Sequence, residues 1–331
     1  MGGARVLVVG GAGFIGSVVA DRLTQAGFQV ENYDDLSSGY REAVCGPLHL
    51  GDVRDRDRLL QVLRAGRYDA VLHFAARIAV GESVREPALY YSVNVGGSIA
   101  LLSAMLEAGV GALVFSSSAA VYGDPHVLPI PESHAFAPVS PYGHTKAMVE
   151  QILADTRAAG LIRAMTLRYF NAAGAPADGT RGEAHEPETH LIPLALDAAW
   201  GRRPALALFG DDYDTRDGTC VRDYIHVVDL ADAHVLALRA LLDGAPGAAY
   251  NVGTGTGHTV REVLEAVGQA VGQPVPVTVA PRRAGDPPAL VAAAETIQRE
   301  LGWAPRCSDL GHIVATAARW AAQPRYGPRA R

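Results

Sequence analysis

Short apolar runs alternate with longer stretches of helical periodicity through the first half of the chain. Arg5–Val9 predicts a first strand, residues 15–26 a helix that ends at Gly27, and residues 28–33 a second strand. The same reasoning predicts strands at 48–50, 70–74, 112–116 and 164–169, with helices at 55–65, 88–108 and 141–159. Such an alternation is typical of βαβ units that build a doubly wound parallel sheet.

The pattern changes after Tyr169, where Pro and Gly become frequent and residues 172–188 predict a long loop. We therefore expect one domain over residues 1–170 and a smaller C-terminal α/β domain over 171–331, with later segments able to return to the first. Further helices are predicted at 190–200, 229–242 and 259–271, followed by a proline-rich stretch from 274 to 288.

Composition narrows the class of protein. The 331 residues are 49% hydrophobic and 19% charged, which is typical of a globular α/β chain. The net charge of −6, with arginines scattered among acidic residues, lacks the basic patch of a nucleic-acid binder. Three cysteines without metal-binding spacing indicate a reducing compartment. No apolar run approaches the ~20 residues of a membrane span, and no signal peptide precedes the first strand, so we expect a cytoplasmic protein without membrane partners.

A glycine-rich turn joins the first strand to the first helix. Gly10, Gly13 and Gly16 are spaced three apart, so the backbone can approach a pyrophosphate at a helix N-terminus. This context predicts a Rossmann-like, dinucleotide-binding first domain.

Carboxylates at the next strand ends indicate which dinucleotide binds. Asp34 and Asp35 follow the second strand, 18 residues beyond Gly16, where a carboxylate accepts hydrogen bonds from the adenosine ribose and repels a 2′-phosphate. NAD is therefore expected in preference to NADP. Asp52 and Val53 follow the third strand and are suited to an adenine contact.

Tyr142 and Lys146, the only lysine, lie one helical turn apart and share a helix face. A phenol has a pKa of about 10, and a base for neutral pH needs it lowered by about three units, roughly 4 kcal/mol. Lys146 and a positively charged nicotinamide are the expected cations. Ser118, in Ser116–Ser118 at the preceding strand end, would bridge a sugar hydroxyl and the phenolate.

Several longer motifs accompany these residues. They are Gly10–Ser17, His73–Ala76, Val80–Ser83, Phe115–Gly123, Ser140–Lys146, Leu167–Asn171, Val221–Val227 and Ala280–Asp286. With them the chain resembles the extended short-chain dehydrogenase/reductase family, and within that family the UDP-glucose 4-epimerases, over almost its full length.

The resemblance implies a reaction. UDP-glucose and UDP-galactose would interconvert at carbon 4 through a transient 4-keto sugar, with tightly bound NAD regenerated in each cycle. Tyr142 would take the proton of the C4 hydroxyl, Ser118 would hold that hydroxyl and relay the proton, and Lys146 would bind the nicotinamide ribose and keep Tyr142 acidic.

The resemblance also implies two binding sets. The residues around NAD would be Gly10, Gly13, Phe14, Ile15, Gly16, Asp34, Asp35, Leu36, Ser37, Ser38, Gly39, Asp52, Val53, Phe74, Ala75, Ala76, Arg77, Ile78, Asn94, Ser116, Tyr142, Lys146, Tyr169 and Phe170. Those around the UDP-hexose would be Ser118, Tyr142, Asn171, His190, Leu191, Phe209, Arg222, Arg283, Asp286 and Leu290. Two copies would form a homodimer through the helices at 88–108 and 141–159.

Three positions depart from the family's pattern. His190 stands where many relatives carry Asn, and Ile78 stands where some carry a lysine that reaches the cofactor, with Arg77 as a neighbouring substitute. Leu290, at the position that gates N-acetylated sugars, is neither bulky nor small, so selectivity for those sugars stays open.

Other functions remain as alternatives. A UDP-N-acetylglucosamine or UDP-glucuronate 4-epimerase, a decarboxylase and a 4,6-dehydratase share the motifs, although Ala119–Ala120 after Ser118 lacks the Asp-Glu pair that eliminates water. A non-catalytic sensor of NAD or UDP-sugar would be expected to lose part of the Ser118, Tyr142 and Lys146 set. His185 and His190 lie five residues apart across Pro187, so no metal site is expected.

Overall fold

The computed structural model describes residues 3–283 and 285–328. Residues 1–2, Ala284 and 329–331, which include the outer ends of both predicted domains, lie outside the described residues.

Seven parallel strands form the central sheet, in the order β10-β6-β5-β4-β1-β2-β3. The strands are β1 (Arg5–Val9), β2 (Gln29–Asp34), β3 (Leu48–Leu50), β4 (Ala70–His73), β5 (Ala112–Ser118), β6 (Arg163–Tyr169) and β10 (Ala249–Val252). The chain proceeds from β1 to β3 on one side and from β4 to β6 on the other, so the strand order reverses beside β1. The turn that follows β1 therefore lies at the topological switch point, where open α/β sheets bind their ligands.

Helices cover both faces of this sheet, which confirms the doubly wound, Rossmann-like class. One face packs against α1 (Phe14–Gln25) and α8 (Val227–Leu242). The other packs against α2 (Arg56–Gly66), α5 (Gly97–Ala108) and α6 (Pro141–Ala158). Alternate residues of β1 serve the two cores, Val6 and Val8 on one side and Leu7 and Val9 on the other. Because both faces are covered, central strands such as β1 and β4 are almost uninterrupted apolar runs.

The predicted helix at 88–108 is divided into pieces. It consists of α4 (Pro87–Tyr90), a π-helical turn (Tyr91–Gly96) and α5, and α3 (Val80–Arg85) precedes it. By length and composition alone, one helical stretch of the described residues, 87–108, could cross a membrane. This is weak evidence, because the core helices of many globular proteins pass the same test.

A smaller lobe follows β6. Its strands are β7 (Asn171–Ala173), β8 (Leu206–Phe209), β9 (Val221–His226), β11 (Gly257–Thr259), β12 (Val277–Ala280) and β13 (Ala289–Leu290). Its core helices are α7 (Leu191–Ala199), α9 (Val260–Val271) and α11 (Leu310–Ala322). Between these parts, α8 and β10 return to the large sheet, and α10 (Glu295–Leu301) packs on β10. The sequence pattern predicts neither α10 nor α11, and the segment that contains β12 is recognisable only as proline-rich.

A buried ion pair joins α6 to β6. Glu150 and Arg168 have side chains only 6% and 8% exposed, and their closest nitrogen and oxygen are 2.7 Å apart. Ser117 donates to Glu150 over 2.5 Å, and Arg168 also donates to the Tyr122 hydroxyl over 2.9 Å. Because both charges are paired and hydrogen-bonded, their burial is tolerated, and the pair holds α6 against the strand that ends at Ser118.

Arg168→Ala should lower the free energy of unfolding by about 3–5 kcal/mol, because it leaves the Glu150 carboxylate buried and unpaired. Urea unfolding of the variant and the parent measures this. Arg299→Ala is the control, since Arg299 is 66% exposed in its pair with Glu300 and its loss should cost less than about 0.5 kcal/mol. Equal losses in the two variants would contradict the role given to the buried pair.

Candidate active site

The glycine-rich turn after β1 is shaped by close backbone contacts. Gly10 has φ of +91°, and a Cβ there would lie 2.4 Å from the Ala75 nitrogen in the turn after β4. A Cβ on Gly16 would lie 2.1 Å from the Gly10 carbonyl oxygen. Both positions therefore require glycine for the fold itself.

Gly13 lies at the N-cap of α1 in ordinary extended conformation, with no side chain capping the helix. A Cβ there would have the Gly10 oxygen, at 3.5 Å, as its one neighbour within 4 Å. The fold tolerates a larger residue at Gly13, so glycine leaves room above the uncapped helix N-terminus. A pyrophosphate fits such a position, because free N–H groups and the positive end of the helix dipole stabilise an anion.

Asp34, expected to meet the adenosine ribose, also organises this turn. One carboxylate oxygen accepts from the Ala12 nitrogen and the other from the Leu36 nitrogen, both over 2.9 Å. Gly39 lies against Ala12, where a Cβ would approach the Ala12 Cβ to 2.7 Å. Burial raises the pKa of Asp34, although these backbone hydrogen bonds oppose the rise. The sequence indicated a ligand contact but not this structural role.

Other predicted cofactor residues lie in the turns after β3 and β4 and in the π-helical turn. Asp52 is held by Arg54, and Val53 is buried against Gly97. Asn94, in the π-helical turn, accepts from the Arg77 nitrogen and donates to the Arg77 oxygen and to Thr145. Those three bonds tie the turn after β4 to helix α6.

The three predicted catalytic residues meet at the end of β5. Ser118 ends that strand, and Ser140 caps α6 by accepting from the Gly143 nitrogen over 3.2 Å, with Pro141 at the first helical position. The cap sets the start of the helix and thereby places Tyr142 in the first turn and Lys146 one turn later. The Lys146 Nζ lies 5.9 Å from the centre of the Tyr142 ring.

Lys146 is deeply enclosed, with 3% of its surface exposed. Its Nζ donates to the Ser116 carbonyl oxygen over 2.7 Å and lies 5.0 Å from the centre of the Phe115 ring. Desolvation lowers the pKa of Lys146 to about 8, although the charge of Glu150 opposes the fall. The Ser116 hydroxyl itself bonds the hydroxyl of Tyr169, another predicted cofactor residue.

The electrostatics of Tyr142 differ from the sequence prediction. Burial raises the pKa of its phenol, and a hydrogen bond with Ser118 opposes the rise only in part. The effect of burial on the pKa of Tyr142 is therefore larger than any lowering by Lys146, because the phenolate loses its hydration on burial. A lower pKa needs a further positive charge.

The residues predicted to bind the UDP-hexose lie mainly on the smaller lobe. Arg222, in β9, is paired with Asp286, and the Arg283 guanidinium lies 3.5 Å from the same carboxylate. Arg283 also lies over the Phe209 ring, 4.6 Å from its centre. Leu290 pairs with Arg222 in the register of β13 and β9. Two arginines and one carboxylate thus form a cluster suited to a diphosphate and a ribose.

Asn171 and Leu191 lie on elements next to this cluster. Asn171 begins β7, which pairs with β9, and Leu191 begins α7. His190, directly before α7, pairs instead with Glu183, a residue that sequence analysis did not single out. No spacing signal marks Glu183, because an irregular loop brings it to His190.

Comparison with known proteins shows close relatives. The model of the NAD dependent epimerase/dehydratase family matches residues 6–253. The chain is 52% identical to the UDP-glucose 4-epimerase of Rhizobium leguminosarum bv. trifolii over 98% of this chain and 99% of that protein. It is also 52% identical to the enzyme of that name from Azospirillum brasilense, over 96% of this chain and 91% of that one.

Solved structures agree with these matches. The UDP-glucose 4-epimerase of Brucella ovis in complex with NAD is 50% identical, with a TM-score of 0.93 over 96% of this chain and 98% of that one. The enzyme from Stenotrophomonas maltophila, with bound NAD and formylated UDP-arabinopyranose, is 44% identical, also with a TM-score of 0.93, over 96% and 97% of the two chains. The resemblance drawn from the motifs is confirmed.

Gly13→Ala should leave the melting temperature of the cofactor-free chain unchanged or slightly raised but weaken NAD binding at least ~10-fold, since the added methyl meets the cofactor and not the protein. Calorimetric titration with NAD measures the affinity. Gly16→Ala is the comparison, because its methyl would collide with Gly10 and should lower stability as well. Unaltered NAD affinity in Gly13→Ala would rule out close approach at this position.

Lys146→Met should stabilise the cofactor-free chain at pH 7 by about 2 kcal/mol, because it removes a buried ammonium whose pKa is depressed from 10.5 to about 8. Between pH 8 and pH 10.5, Lys146 keeps its proton in the unfolded chain and loses it in the folded chain. The parent's free energy of unfolding therefore rises with pH, and the advantage of Lys146→Met becomes smaller. Urea unfolding at pH 7 and pH 10 measures the change. Lys146→Arg keeps the charge and should show no gain, and a gain there would contradict the desolvation argument.

Proposed function

Because the chain belongs to the NAD dependent epimerase/dehydratase family, we propose that it interconverts UDP-glucose and UDP-galactose by epimerisation at carbon 4, through a transient 4-keto sugar. It is an NAD-dependent isomerase of the extended short-chain dehydrogenase/reductase type. The observation that supports this most is the meeting of Ser118, Tyr142 and Lys146 beside the glycine-rich turn.

The residues around the turn suit NAD. Gly13 leaves space at the uncapped end of α1, and Asp34 and Asp35 stand at the end of β2, where a 2′-phosphate would meet negative charge. Lys146, Tyr169 and Asn94 would face the nicotinamide end, and Asp52 and Val53 the adenine. NAD, when bound there, would supply the acceptor and then the donor of the C4 hydride.

The chain's own residues manage the proton. Tyr142 Oη takes the proton of the C4 hydroxyl, and Ser118, hydrogen-bonded to Tyr142, holds that hydroxyl and relays the proton. Lys146 lies one helical turn after Tyr142, and its ammonium is fixed by a hydrogen bond to the Ser116 carbonyl, so its charge keeps a constant distance from the phenol. Since burial alone raises the pKa of Tyr142, the phenol becomes a base only when a second positive charge, that of the oxidised cofactor, lies beside it.

Arg222 and Arg283 would bind the diphosphate, and Asp286 the uridine ribose. The Asp286 carboxylate pairs with both arginines, which keeps the guanidinium groups near each other and leaves the cluster with a net positive charge for the diphosphate. Substrate oxygens would take over part of this pairing, with bidentate geometry available to each arginine. Asn171, His190, Leu191, Phe209 and Leu290 complete the proposed pocket.

The proposed assembly is a homodimer in the cytoplasm, without nucleic-acid or membrane partners. Helices α3, α5 and α6 carry exposed apolar residues on the outside of the first domain, namely Val84, Ile99, Leu106 and Met148. Pairing of these helices between two copies would remove that surface from water.

The purified protein should convert UDP-galactose to UDP-glucose without added NAD, because the bound cofactor is regenerated in each turnover. Tyr142→Phe should lower kcat at least ~100-fold, since it removes the base. Chromatographic separation of the two nucleotide sugars measures the rate. Absence of conversion by protein that carries NAD would refute the proposal.

Tyr68→Phe is the matched control for that experiment. It also removes one hydroxyl, but Tyr68 lies two residues before β4, at the opposite, amino-terminal edge of the sheet, and donates to Glu31. Its activity should stay near that of the parent. The same assay with UDP-N-acetylgalactosamine determines whether Leu290 admits the larger sugar.

A further inference from the structure

The loop between β7 and α7 brings two glutamates and two histidines into one cluster: Glu183, His185, Glu188 and His190. Each of them offers one ligand atom, and the four atoms lie within 4.8 Å of one another. The sequence predicts no metal site here, because the spacing of the histidines across Pro187 does not suit a helix face. The four side chains instead meet because the loop that carries them is irregular.

The distances between these atoms resemble those of a tetrahedral metal site. His185 Nδ1 lies 3.3 Å from Glu183 Oε1 and 3.7 Å from Glu188 Oε1, and His190 Nδ1 lies 3.7 Å from Glu188 Oε1. His190 Nδ1 also contacts Glu183 Oε1 directly. Four ligands placed about 2.0–2.1 Å from a zinc ion in tetrahedral geometry are roughly 3.4 Å apart. Three of these four separations therefore need changes of only a few tenths of an ångström.

A second observation indicates that a ligand is needed here. The Glu188 side chain is only 6% exposed, and its Oε2 is buried without a hydrogen-bond partner. The Nδ1 of His185 is likewise buried without a partner in hydrogen-bond geometry. A buried carboxylate oxygen and a buried imidazole nitrogen are costly to leave unsatisfied, and both are metal-ligand atoms.

We propose that Glu183, His185, Glu188 and His190 bind one divalent first-row transition ion, with zinc as the best match. Imidazole nitrogens and carboxylate oxygens in a four-coordinate arrangement without thiolates suit Zn²⁺. Two carboxylates neutralise the ion while both imidazoles stay neutral. The catalytic chemistry assigned to Tyr142 and Ser118 does not use this ion. His190 also belongs to the proposed substrate pocket, but zinc uptake is measured without substrate and therefore tests the metal site separately from the proposed function.

The ion would act as a structural clip. Residues 174–190 contain no helix or strand that would fix their position. Helix α7 begins directly after them, at Leu191, and the His190 side chain does not cap it. The Glu183 carbonyl already accepts from the Trp320 indole over 2.8 Å, which anchors one end of the cluster to α11. Cross-linking Glu183 to His190 would then hold the N-terminus of α7 to the same anchor.

The competing state is a set of ion pairs, in which both imidazoles carry protons and balance the two carboxylates without any metal. Full-length protein with its bound NAD and without an affinity tag, treated with a chelator and then freed of it, distinguishes the two states. Calorimetric titration with Zn²⁺ should show uptake of about one equivalent, and the metal should raise the melting temperature. Titration with Co²⁺ should produce the intense visible d–d bands of a four-coordinate site.

Glu188→Gln is the variant to test, because the amide keeps the shape of the carboxylate and removes its charge. Its affinity for Zn²⁺ should fall at least ~10-fold, and its melting temperature should no longer respond to the metal. Glu186→Gln is the matched control from the same loop, since Glu186 is exposed and outside the cluster. It should bind zinc as the parent does.

Three outcomes would overturn the proposal. The first is no saturable zinc uptake by the parent. The second is an equal affinity for zinc in the parent and in Glu188→Gln, and the third is a cobalt spectrum of the weak octahedral type. If Glu188→Gln fails to fold, the stoichiometry and the cobalt spectrum of the unmutated chain still decide between a metal site and a set of ion pairs.

Discussion

The structure around the proposed active site accommodates one buried ammonium group, that of Lys146. Lys146 loses most of its hydration and receives in return one backbone carbonyl, a nearby aromatic ring and the charge of Glu150. A charge in such a place is tolerated only if it is paired or hydrogen-bonded by groups that are held rigidly in position. Rigidity comes from α6, whose start is capped by Ser140 and whose middle is joined to β6 through Glu150 and Arg168. The position of Tyr142 follows from the same helix.

The turns that carry most of the proposed cofactor-binding residues lie at the carboxyl edge of the sheet. Successive parallel strands end at this edge, so turns from β1, β2, β4 and β5 meet although they are far apart in sequence. Hydrogen bonds between the turns, such as those from Asn94 to Arg77 and from Ala12 to Asp34, keep them in one arrangement. Much of the expected cofactor set therefore has a structural partner as well as its proposed ligand.

Local sequence patterns predict a large part of this fold. The strands and most helices of the first domain were predicted within a few residues, because buried strands are largely apolar and the helices between them keep their 3.6-residue period. The exceptions are α3, which had no predicted counterpart, and the helix predicted at 88–108, which is divided. The glycine-rich turn and the Tyr142 and Lys146 pair depend on short-range spacing, so the motifs were enough to recognise the family. Prediction was weakest in the smaller lobe, where α10 and α11 received no assignment and short strands such as β13 depend on distant partners.

The sequence by itself determined the parallel architecture, the glycine positions and the one-turn spacing of Tyr142 and Lys146, because these follow from contacts within a few residues. Only the tertiary structure decided that burial raises the pKa of Tyr142, that Asp34 serves its own turn, and that Asp286 holds two arginines before substrate binds. It also brought Glu183 and Glu188 to two histidines in an irregular loop. Desolvation and long-range charge pairing depend on which distant segments surround a group, and no local pattern specifies that.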